Sequence, residues 1–129
     1  MVLDTRRPGR RRPAERVGLP DAPPVTGTHP RHELDDLLTN PVRLSIAAAL
    51  AAVERAEFAL VRDTVEITDP MLSKQVALFE QAGYVAVDKG RVGRRPRTWL
   101  GLTAAGREAY ERHIQALQAI AGLAPRPRR

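Results

Sequence analysis

The stretch VDKGRVGRRPRTWLGL (87–102) decides how the rest of the chain is read. It holds five cations, Lys89, Arg91, Arg94, Arg95 and Arg97, against one acid, Asp88. Apolar residues alternate on both sides: Val85 and Val87 share one face of an incoming strand, and Thr98, Leu100 and Leu102 share one face of an outgoing strand. Gly90 and Gly93 are expected to supply the turn, with Pro96 at its exit. The basic run therefore reads as the tip and flanks of a β-hairpin. A disordered basic tail needs no such frame.

Charge elsewhere sharpens that reading. The formal net charge of the 129-residue chain is +6. Residues 1–31 carry seven arginines against three acids, and 125–129 carry three arginines and no acid. Between them, eleven Lys and Arg face twelve Asp and Glu. The middle is thus close to neutral and gathers its positive charge at the hairpin, which points to a polyanionic partner. The length suits one domain with tails: an Arg/Pro-rich segment 1–31, a folded domain 32–124 and a basic end 125–129. The first of these holds six of the eleven prolines and few large apolar groups, so it is expected to be disordered, with a role in solubility or in non-specific attraction to phosphates.

Working outward from the hairpin, PMLSKQVALFEQAG (70–83) is a helix. Asp69 suits its N-cap, Pro70 its first turn and Gly83 its C-terminal cap. Leu72, Val76 and Phe79 form the inner stripe; Pro70, Ser73, Lys74, Ala77 and Gln81 lie opposite, and Gln75 lies on the boundary. Upstream, Leu34, Leu37 and Leu38 suit a short helix, with the fold beginning near Glu33. Pro41 opens a second helix whose stripe is Val42, Ile46, Leu50 and Val53. A third short segment follows from Phe58, with Leu60, Val61 and Val65 apolar. Downstream, Thr103 caps a last helix on which Tyr110, Ile114, Leu117 and Ala121 recur, with Ile120 beside them. So small a domain leaves part of that stripe for a second copy, a homodimer. The predicted class is mostly α with a small β-hairpin (α+β): a winged helix-turn-helix with a disordered basic N-terminal tail.

Several chemistries are set aside. The chain has no cysteine, which removes disulfides, thiol redox sensing and Cys-based zinc sites. No stretch reaches the ~20 apolar residues of a membrane span, and the front lacks the apolar core of a signal peptide. A cytoplasmic protein is expected. His29 and His32 flank Pro30 in the tail, so no metal site is expected there, and His113 is read as a solvated or dimer-surface histidine. Trp99 is read as a packing residue. The serines Ser45 and Ser73 sit on helices outside any nucleophile motif, and no phosphate loop is present. Neither an enzyme nor a cofactor is expected.

A capped helix followed directly by an arginine-tipped hairpin matches what double-stranded DNA offers: a major groove wide enough for a helix, with phosphates alongside. The stretch LSKQVALFEQAGYVAVDKGRVGRRPRTWLGLTAAGREAY (72–110) resembles the winged-helix regulators of the MarR/ArsR type, and most of all their short winged-helix group. AGYV (82–85), RRPRT (94–98) and LTAAGR (102–107) carry the resemblance, which covers residues 33–121. It implies a recognition helix at 70–82 with Ser73 and Lys74 on DNA, and with Pro70, Met71 and Gln75 beside them. Such domains often carry Asn where this chain has Met71 and His where it has Gln75. It also implies a wing made by Lys89, Arg91, Arg94, Arg95 and Arg97, and pairing of two copies through the last helix by Tyr110, Ile114, Leu117 and Ala121. The function it implies is sequence-specific transcriptional regulation. Two other readings stay open, a winged-helix protein-interaction module and a non-specific nucleic-acid binder driven by the tails. A small apolar effector is compatible with the sequence, because such pockets leave no motif.

Overall fold

The structure, a computed structural model, describes residues 28–123. The expectations for 1–27 and 124–129 lie outside the described residues. Two 3-10 turns, Pro30–Glu33 and Asp36–Thr39, lead into α1 (Pro41–Ala51), β1 (Ala56–Glu57), α2 (Phe58–Val65), α3 (Asp69–Gln81), β2 (Val85–Val92), β3 (Arg95–Leu102) and α4 (Ala104–Ile120). The fold is the α+β winged helix expected, with differences that each have a local cause.

At the front, Leu34–Leu38 does not form an α-helix. Asp35 caps the second 3-10 turn through Leu37 N–H at 2.9 Å, and Asn40 then takes the amides of Val42 and Arg43 at 2.9 and 3.0 Å. Two caps so close together leave room for only one tight turn between them. The turn Pro30–Glu33 lies against α4. Helix α1 ends at Ala51, short of Val53, which is 43% exposed. Arg107 on α4 closes that end, donating to the carbonyls of Ala51 at 3.0 Å and Val53 at 3.4 Å.

The sheet has three strands rather than two, in the order β1-β3-β2, all antiparallel. Ala56 and Glu57 pair with Leu100 and Trp99. A two-residue strand is too short to show alternation, so no sequence pattern marks it. In the hairpin, Val85 pairs with Leu102 and Val87 with Leu100, which puts all four on the face turned to the helices. Gly90 and Pro96 lie within the strands, opposite Arg97 and Arg91. The turn itself is only Gly93-Arg94. Gly93 has φ +64° while Arg94 has no positive φ, the sign pattern of a type II′ turn, whose first central position favours glycine.

The core gathers Leu38, Ile46, Leu50, Val61, Leu72, Val76, Phe79, Val85 and Leu100 between the helices and the sheet. Burying each such side chain is worth about 1.5–3 kcal/mol. On α4 the buried residues are Gly106, Ala109, His113 and Ala116, beside the apolar stripe read from the sequence. Tyr110 packs at the core edge and Ile114 is half-buried. Leu117 and Ile120 stay exposed, and Ala121 is the exposed C-cap. His113 is not solvated. It is 1% exposed, and its Nδ1 accepts the Asp35 amide at 3.0 Å.

Candidate nucleic-acid interface

Helix α3 starts one residue earlier than expected. Thr68, not Asp69, is the N-cap, its hydroxyl accepting the Met71 amide at 3.2 Å. Asp69 stands in the first turn instead, where its charge complements the helix dipole. It is also taken by Arg62, whose guanidinium donates to Asp69 at 2.9 Å and to Asp63 at 2.8 Å. These hydrogen bonds raise the Arg62 pKa and hold the Asp63 carboxyl below its usual range. The turn joining α2 to α3 is Glu66–Thr68, with Glu66 in the left-handed region at φ +63°. At the far end, Gly83 has φ +79°, and the amides of Gly83 and Tyr84 bond the carbonyls of Glu80 and Phe79, both at 2.9 Å. That pair of hydrogen bonds is a Schellman cap, and it aims the chain directly into β2.

The outer face of α3 presents Pro70, Met71, Ser73, Lys74, Ala77 and Gln81 to solvent. Gln75 does not join them. It is 6% exposed, and its amide is engaged by Arg43 at 3.0 Å and Met71 at 3.1 Å, so it stands behind the face rather than on it. Arg43 had no place in the sequence reading, because a contact across 32 residues leaves no periodic trace.

Beside α3 stands the hairpin. Lys89, Arg91, Arg94 and Arg95 are exposed and make no ion pair among the described residues. Arg95 and Arg97 lie on the other face of the sheet from Lys89 and Arg91, and Arg97 alone of the wing cations is paired there, its Nε meeting Glu57 of β1 at 3.0 Å. No sequence pattern marks Glu57, which belongs to the two-residue strand β1. Asp88 is drawn off in the same way by Arg55 at 3.2 Å. Arg55 also covers the Trp99 ring at 4.4 Å from its centroid, so Trp99 serves packing on the outer side of the sheet. The two pairings remove one cation and the one acid from the wing and leave its tip wholly positive.

Helix face and wing meet across a groove of about 350 Å³ lined by Phe58, Ser73, Val76, Lys89, Thr98 and Leu100, with Glu80 also at its wall. Ser73 and Lys89 thus border one concavity, a polar helix face on one side and a cation of the wing on the other. Among the described residues no group of three or more His, Cys, Asp or Glu could hold a metal, and no helix is long and apolar enough to cross a membrane. His29 is used locally, accepting the Arg31 amide at 3.0 Å.

Known proteins share this arrangement. An uncharacterized protein of Methanocaldococcus jannaschii is 30% identical over 73 residues, 57% of this chain and 79% of its own length. The solved structure of a transcriptional regulator homologue from Pyrococcus horikoshii matches with TM-score 0.64 and 30% identity, covering 68% of this chain and 87% of that one. NadR, solved in complex with 4-hydroxyphenylacetate, matches with TM-score 0.59 and 25% identity, over 74% of this chain and 67% of its own. The family model described as winged helix DNA-binding domain matches residues 42–121, from α1 through the end of α4. With more than half of its residues matched, the chain belongs to the winged helix DNA-binding domain family.

Proposed function

We propose that this DNA-binding transcriptional regulator reads specific duplex sequences as a homodimer. Helix α3 enters the major groove with Pro70, Met71, Ser73 and Lys74 toward the base edges, and Lys89, Arg91, Arg94 and Arg95 meet the backbone or the adjacent minor groove. The observation that carries this is the placement of Ser73 and Lys89 on opposite walls of one groove, with a cationic tip beyond that meets no acid among the described residues. Gln75 supports the surface from behind, and Arg97 contributes less than the other wing cations because Glu57 already holds it.

The second copy is assigned to the end of α4, where Leu117, Ile120 and Leu123 are 37%, 46% and 70% exposed. Two-fold pairing there predicts half-sites about one helical turn apart. The reading assigns no catalysis and carries a cytoplasmic location with it. Regulation by a small molecule belongs to the proposal on the precedent of NadR, solved with the aromatic acid anion 4-hydroxyphenylacetate. A rise in melting temperature with aromatic acids tests that part.

The deciding experiment is selection of bound duplexes from a randomised pool, with the full chain at near-physiological salt. A two-fold-symmetric enriched motif is expected. Binding without enrichment would favour the non-specific reading, and no binding by folded protein would favour a protein-interaction module.

A further inference from the structure

Behind the outer face of α3 runs a chain of contacts from α1. Arg43 donates from Nε to the Leu37 carbonyl at 2.6 Å, and from a terminal nitrogen to Oε1 of Gln75 at 3.0 Å. An arginine can only donate, so the Gln75 oxygen must face it, and the amide nitrogen is left pointing the other way. That nitrogen donates to Sδ of Met71 at 3.1 Å. Gln75 is buried, so its amide has little room to turn. The Met71 backbone is held as well, its N–H taken by the Thr68 cap.

Met71 is 40% exposed, in the first turn of α3, on the flank that also carries Lys74. Methionine is the most adaptable apolar side chain, and an exposed one gains little by being ordered in the free protein. Here a buried glutamine and a partly buried arginine are spent on ordering it. On the base edges of the major groove, the apolar group that such a side chain can match is the thymine C5-methyl.

We propose that Met71 reads a thymine methyl group, and that Arg43 and Gln75 are positioning residues that fix its thioether for this contact. The inference rests on the reading that α3 enters the major groove. On the best-enriched duplex of the selection above, each thymine is replaced in turn by uracil, which lacks only the methyl and keeps every hydrogen-bonding group. With the full chain, one position per half-site should lose affinity about fourfold, the worth of one buried methyl-sized group. Met71→Ala, which removes a side chain outside the core but also takes the sulfur acceptor from the Gln75 amide, should abolish the difference at that position. Gln75→Glu keeps an acceptor for Arg43 but offers the sulfur no donor, and should shrink the thymine-to-uracil ratio there. The ratio is the readout, since an added negative charge weakens binding to every duplex alike. A flat uracil scan, or a sensitive position unchanged in Met71→Ala, overturns the thymine assignment. An unchanged ratio in Gln75→Glu overturns the positioning role. Failure to enrich any duplex would instead remove the recognition reading itself, so the two failures are distinct.

Discussion

The backbone amide of Asp35 donates to Nδ1 of His113 at 3.0 Å, tying the segment before α1 to the middle of α4. The same aspartate accepts from the Tyr84 hydroxyl and from the Leu37 amide, so one residue gathers the front turn, the entry to β2 and the last helix. Tyr84 is held protonated by that bond, its pKa raised. For His113 the constraint runs the other way. An Nδ1 that accepts a hydrogen bond carries no proton, and burial lowers the imidazole pKa from its ordinary 6.5.

A pH dependence of stability follows from that depression. The unfolded chain takes up a proton at His113 near pH 6.5, and the folded chain resists it to lower pH. The unfolded state therefore binds more protons in this window, and stability falls as pH drops below 6.5 toward the folded pKa. Thermal melts across that range should show the fall. His113→Asn can keep an acceptor for Asp35 without a titrating ring, and should flatten the acid limb even where it lowers overall stability. An equal acid limb in both proteins would assign the effect to other groups.

Gly106 gives the second prediction. A Cβ built there would stand 2.1 Å from the Tyr84 carbonyl oxygen and 2.8 Å from its carbon, both backbone atoms. The Thr103 hydroxyl ties the same corner, accepting from Gly106 N–H at 3.0 Å and donating to the Gly83 carbonyl at 2.6 Å. Gly106→Ala gains about 1 kcal/mol of helix propensity. Overpacking against atoms that cannot rotate away costs about 1–3 kcal/mol or more. At so short a distance the steric cost wins, so the urea midpoint should fall with little change in slope. A variant as stable as the parent would mean that α4 can shift off β2.

Much of this was legible in the sequence. Helix α3 and the hairpin were visible because a capped helical stripe passes abruptly into alternation around Val85 and Leu100. What was missed falls where periodicity says nothing. Gly90 and Gly93 are alike as letters, and the register alone puts one in a strand and the other in the turn. Thr68 and Asp69 are both good caps, and the choice is settled by Arg62 reaching the aspartate. His113 looked like a surface residue because its partner is 78 positions away. Arg43 behind Gln75 and Glu57 beside Arg97 are likewise long-range pairs, so the interface was read as a set of exposed residues without the partners that subtract from it.

Each phosphate contact that an arginine makes releases counterions, and the salt dependence of binding counts them. Arg94 and Arg95 at the tip have no acid partner among the described residues. Arg94→Ala with Arg95→Ala should weaken binding to all duplexes and flatten the log–log salt slope by up to about two units. Arg97→Ala should change the slope less, since Glu57 holds that guanidinium at 3.0 Å. Ser73→Ala and Lys74→Ala should instead alter sequence preference, with base-contact losses of about 1–3 kcal/mol each. Filter binding over a salt series, on specific and scrambled duplexes, separates the two classes. Equal salt slopes in the double variant and the parent would remove the tip from the interface.

The last prediction concerns the end of α4. Within one chain the helix buries small residues, Gly106, Ala109 and Ala116, along with His113. Leu117, Ile120 and Leu123 remain open to solvent at its end. Apolar side chains grouped at the end of one helix are the kind of surface that a partner can cover. If a second copy covers it, charge placed there must break the pair while the domain keeps its fold, because neither Leu117 nor Ile120 belongs to the core. Leu117→Glu with Ile120→Glu should convert a dimer to a folded monomer in sedimentation, with unchanged far-ultraviolet circular dichroism. Its affinity for a two-half-site duplex should fall far more than its affinity for a single half-site, since the loss is of the linkage between two reading heads and not of either head. A variant that remains dimeric would move the pairing surface elsewhere on the fold.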